Sequence, residues 1–159
     1  MTRRVAGTLA GVAAVAALAA WYGWPGDAPP PPAGALLRPD DARVLAAGER
    51  VYRTHCAACH GAALEGQPNW QRRGDDGLLP APPHDAGGHT WHHADAVLFA
   101  ITKHGVAKAA GMPDYRSAMP VYDGVLGDDD IVAVLSWIKS RWPPEIRDKH
   151  DQINQATSR

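Results

Sequence analysis

Between Asp40 and Trp142 apolar residues recur at helical spacing, and three stretches carry the pattern. In the first, Asp40 and Asp41 are suited to cap a helix running to about Thr54, with Val44, Leu45, Gly48, Val51 and Tyr52 on one face. Gly48 stands among apolar neighbours, so the spacing predicts a helix crossing there rather than a merely tolerated glycine. The second stretch, Asp95 to Lys103, offers Val97, Leu98, Ile101 and Thr102 with Phe99 nearby, and Gly105 as its stop. The third, Asp128 to Arg141, carries Ile131, Val134, Leu135 and Ile138 as a buried stripe. Three aspartates suit its positive N-terminal end, Lys139 and Arg141 suit the other, and Pro143 and Pro144 end it. Strand-like alternation is scarce. The pattern predicts an all-α domain over residues 40–143 with long loops, followed by a polar tail, residues 144–159, that adds a loose helical turn or frays.

The N-terminal segment follows a different pattern. Arg3 and Arg4 precede an uncharged run from Val5 to Trp24, which as a helix would span about 30 Å, the thickness of a bilayer's hydrocarbon core. Trp21, Tyr22 and Trp24 stand where an aromatic belt would sit, and the basic residues predict that the N-terminus stays inside and the rest lies outside. The aromatic cluster favours a retained transmembrane anchor over residues 1–25. Ala17-Leu18-Ala19 also fits a cleavage site, so a removed signal helix is the competing reading. Either way the domain is exported. Residues 26–39 read as a linker, and the four prolines Pro29 to Pro32 favour an extended spacer.

Composition changes this picture little. The chain has 159 residues and a formal net charge of −1, enough for one domain plus extras and without the basic excess that nucleic acid binding demands.

The chemistry is concentrated in Cys56-Ala57-Ala58-Cys59-His60, which holds both cysteines of the chain. C-x-x-C-H is the attachment signature of c-type haem. Two thiols three residues apart lie on one side of a helical turn and can each reach a vinyl group of one porphyrin. His60 follows directly and can bind the iron as a proximal histidine. A disulfide would need no adjacent histidine. A redox dithiol would need a βαβ surround, and zinc would need two more ligands at finger-like spacing.

Together, the Gly48-x-x-x-Tyr52 helix before Cys56-x-x-Cys59-His60-Gly61, a later Met-Pro pair and a final amphipathic helix resemble a class I c-type cytochrome, over roughly Asp40 to Trp142. The resemblance implies one covalent haem c, first and last helices that cross near Gly48 and Tyr52, and His60 and a methionine as axial iron ligands. Met112 and Met119 both precede prolines. Met119, nine residues before Asp128, matches the family's ligand loop better, and Met112 reads as a gap-filler near the haem edge. The resemblance also implies that a proline carbonyl accepts a hydrogen bond from the proximal imidazole; Pro82 is the first candidate, with Pro80 and Pro83 beside it.

Around Trp91, His84, His89, His92 and His93 form a patch that fits copper or zinc binding, or ordinary loop packing near a haem edge. A methionine and histidine pair closes the iron to substrates, which favours a single-electron carrier over an enzyme. The implied partners are redox proteins, with the membrane reached through the N-terminal helix, the domain on the periplasmic side and no nucleic acid involved. The alternatives are a haem enzyme or gas-binding protein with a labile sixth ligand, and an electron-entry subunit of a larger oxidoreductase.

Overall fold

The structure, a computed structural model, describes residues 36–157, and these form helices and loops with no strand. The expected anchor or signal segment lies outside the described residues. Among the described residues no helix is long and apolar enough to cross a membrane.

Helix α1 spans Ala42–His55 and is capped by Asp41, whose carboxylate accepts from the backbone N–H groups of Arg43 at 3.0 Å and Val44 at 3.2 Å. A four-residue turn, α2, Ala57–His60, follows directly and is closed by Gly61 at φ 84°, a left-handed conformation that favours glycine. A long loop carries one 3₁₀ turn, Thr90–His92. Then come α3, Asp95–His104, the short α4, Val106–Ala109, and α5, Asp128–Ser140. The three expected helices thus form within one residue or so of their expected ends.

The most extensive helix pair is α1 against α5. A Cβ on Gly48 would overlap the Ala133 carbonyl oxygen and lie 2.8 Å from the Trp137 Cβ, so the two backbones cross at the glycine. Tyr52, fully buried one turn later, tilts against Trp137 with ring centroids 4.7 Å apart. Ile131, Val134, Leu135 and Ile138 are buried on α5 as expected, each contributing roughly 1.5–3 kcal/mol by burial. Val132 and Ala133 are buried as well, so α5 is covered on more than one face.

Two polar segments differ from expectation. The tail expected to add a loose helical turn or fray is a full helix, α6, Pro144–Thr157, in which Ile146, His150 and Asn154 are buried. Pro144 begins this helix, a position where its missing N–H costs nothing. The sequence hid α6 because its inward face is partly polar. Asn154 Oδ1 accepts from the Asp95 N–H at 2.8 Å, capping α3 across space where Ala94 has no side-chain oxygen. Lys139, expected to answer the helix dipole, is only 2% exposed and pairs with Asp151 of α6. The end of the expected linker is likewise part of the folded body. Leu37 is buried, the N–H groups of Leu36 and Leu37 donate to Asp95 at 2.7 and 2.9 Å, and the Arg38 N–H donates to Ser136 Oγ at 2.9 Å.

Candidate functional site

Two tyrosine hydroxyls bracket the cysteine turn. Tyr52 of α1 donates to the Gly61 carbonyl at 2.8 Å, just after the turn, and Tyr122 donates to the His55 carbonyl at 2.7 Å, just before it. The backbone from Cys56 to His60 is therefore held at both ends by side chains rooted elsewhere in the core. Burial raises the pKa of both phenols, with the cysteines reinforcing it. The Tyr122 contact was not visible from the sequence, where Tyr122 is one aromatic in a turn-rich loop.

The turn opens on a cavity of about 600 Å³, within the range of cofactor sites. Cys56, Cys59 and His60 line it from the motif, Met119 from the later loop. Leu98 and Ile101 of α3 and Val134, Leu135 and Ile138 of α5 supply apolar walls. The residues expected as Cys56, Cys59, His60 and Met119 are thus brought together around one space. Met119 is partly buried against the core, whereas Met112 is 46% exposed and does not line the cavity. Both cysteines are free thiols. Burial, and then the neighbouring Cys59, push the Cys56 thiol up to about 11.

His60 is buried, and its Nδ1 lies 2.8 Å from the Pro82 carbonyl oxygen. A carbonyl can only accept, so Nδ1 carries the proton and Nε2 keeps the lone pair needed to bind a metal. Pro82, rather than Pro80 or Pro83, makes this bond. Burial lowers the His60 pKa and so favours the neutral, ligating ring; the Pro82 bond acts in the opposite direction.

His84 stacks on His60, with ring centroids 4.0 Å apart and planes 22° apart. Its Nδ1 lies 2.6 Å from Thr90 Oγ1. Burial, and then His60, push its pKa down to about 3. The rest of the histidine patch is a set of ring contacts. His89 stacks on His92 at 5.0 Å and meets His93 edge-on at 4.8 Å, while Trp91 stacks on His92 at 3.7 Å. Among the described residues no group of three or more His, Cys, Asp or Glu is arranged to hold a metal ion.

A family model described as Cytochrome c matches residues 45–142, well over half of the chain. The chain belongs to the cytochrome c family. No curated protein and no solved structure matches it. Membership implies covalently bound haem c and haem-based electron transfer, as is general in the family. The geometry of this cytochrome fits that group. Two free thiols, an imidazole with its Nε2 lone pair kept available and a thioether converge on one cavity with apolar walls.

Proposed function

We propose that this cytochrome is a single-electron carrier of class I type with one haem c, joined through Cys56 and Cys59 and ligated by His60 and Met119. The observation that carries the reading is that these four residues line one cavity, His60 with its Nδ1 already committed to Pro82. The haem supplies the one-electron chemistry. The chain's residues would do the rest: the apolar side chains of α3 and α5 would wall the group from water, Pro82 would make the His60 imidazole a more basic ligand, and the Met119 thioether would be the second protein ligand, closing the iron to substrates.

With a net charge of −1, docking to redox partners depends on short-range contacts more than on long-range steering. The basic residues, apolar run and aromatic cluster of residues 1–25 support placement at the outer, periplasmic face of the cytoplasmic membrane, tethered by the N-terminal helix.

A reduced-minus-oxidised spectrum with haem stoichiometry, followed by carbon monoxide addition, tests the reading. The expected result is one covalent haem per chain, low-spin in both states and unreactive towards carbon monoxide at neutral pH. Rapid carbon monoxide binding would replace the carrier by a protein with a labile sixth ligand.

A further inference from the structure

We infer that His84 is a positioning residue that sets the plane of the His60 imidazole and, through it, the electronic state of the iron; this rests on the ligation of iron by His60 proposed above. The Pro82 hydrogen bond fixes one atom of the His60 ring. A ring stacked at 4.0 Å with planes 22° apart restrains the plane itself. Apolar packing alone would be served by leucine at this place, so a histidine held by its own polar contacts has a separate effect.

His84 is fixed well enough to act this way. Its N–H donates to the Leu64 carbonyl at 2.8 Å, and its carbonyl accepts from the Trp142 indole N–H at 2.7 Å. Its Nδ1 is 2.6 Å from Oγ1 of Thr90, a buried residue of the 3₁₀ turn. Tyr52 meets its ring in an edge-type contact, centroids 6.4 Å apart and planes at 71°. The ring is thus held by Tyr52 of α1 and Thr90 of the 3₁₀ turn, and its backbone by Leu64 and Trp142.

The orientation of an axial imidazole governs how its π orbitals overlap those of the iron, and unpaired spin on the porphyrin follows it. The polar ring beside His60 also favours the ferric state, which carries one positive charge more than the ferrous state. Replacing it by an apolar side chain raises the midpoint potential.

The test compares His84→Leu, His84→Phe and Thr90→Val as full-length holo-proteins, by the proton NMR shifts of the haem methyl groups in the ferric state and by redox titration. In His84→Leu the order of methyl shifts changes, and the ferric-to-ferrous ratio at a fixed poise falls roughly two- to tenfold, the effect of about one polar contact. His84→Phe keeps a stacked ring and retains the wild-type methyl order while its ferric-to-ferrous ratio still falls. Thr90→Val, nearly isosteric, loosens the clamp and moves the methyl shifts part of the way. A merely structural role would lower thermal stability and move neither reading. Wild-type methyl order and potential in His84→Leu would overturn the inference. If that variant yields no holo-protein, an unchanged methyl pattern in Thr90→Val overturns it instead. A wild-type ferric protein without a low-spin, histidine-ligated spectrum would instead remove His60 as ligand, a failure distinct from that of His84.

Discussion

His60 is held from two sides that are built in different ways. On the helical side, α1 and α5 cross at Gly48, Tyr52 packs against Trp137, and tyrosine hydroxyls fix the backbone on either side of the motif. On the loop side, Pro82 and His84 come from a long connection with little regular structure, backed by hydrogen bonds from Trp142 to His84 and from His150 of α6 to His93. The helical side is held by shape and tolerates no extra atom at its centre. The loop side is held by a buried polar network in which each member is needed to satisfy another. The first places the cysteines, and the second aims the imidazole between them and the later loop.

The largest expected effect breaks the helical side. In Gly48→Val the new side chain meets the Ala133 backbone carbonyl, which cannot move aside without displacing α5. The substitution is expected to cost more than about 3 kcal/mol and to prevent accumulation of folded holo-protein, read by haem yield and circular dichroism. Next, Asp95→Ala attacks the loop side, taking the acceptor from the N–H groups of Leu36 and Leu37 and one partner from the Asn154 amide. A loss of about 3 kcal/mol is expected in the urea midpoint, with spectra of the surviving native protein unchanged. Failure of Asp95→Ala to accumulate folded holo-protein, the outcome expected of Gly48→Val, would erase the distinction between the two sides.

Acid sharpens the comparison, because the loop side buries histidines. His150 is fully buried, with Nε2 3.0 Å from the His93 carbonyl and 3.4 Å from Asp95. Burial, and then Lys139, hold its pKa below the ordinary 6.5, opposed by Asp95. The unfolded chain binds a proton at this residue below that pH while the folded chain does not. Its contribution is therefore complete above about pH 6.5 and is lost as pH falls from there towards the folded pKa. In His150→Gln the slope of stability against pH over this window should be shallower by up to about one proton, read from urea midpoints at a series of pH values. An unchanged slope would show that His150 binds protons equally in the folded and unfolded states. The smallest effect of the set belongs to Tyr122→Phe, expected to cost about 1 kcal/mol for the lost bond to His55 while the haem spectrum is kept.

The same division governs how much could be read from the chain alone. The helical side was legible, because Val44, Gly48, Val51 and Tyr52 display their period and the cysteine motif its spacing. Pro82 was legible only as one of three prolines, since a hydrogen bond to a backbone carbonyl leaves no trace in residue type. Helix α6 was missed because Asn154, His150 and Asp151 look like surface residues until Asp95 and Lys139 are seen to meet them. The docking of Leu36 and Leu37 was missed for the same reason, a proline-rich approach masking two N–H groups that end on a buried carboxylate. Tyr122 carried no signal and His84 showed only as one of four loop histidines, since each acts on a group distant in sequence.

The most direct measurement is the far-red charge-transfer band of the ferric protein, followed in Met119→Ala and Met112→Ala. Met119 lines the cavity with His60, whereas Met112 is exposed outside it. Ligation by His60 and Met119 requires the band to be present in the wild type, lost in Met119→Ala and kept in Met112→Ala. A band that survives in Met119→Ala and vanishes in Met112→Ala would contradict the assignment on which the carrier function rests.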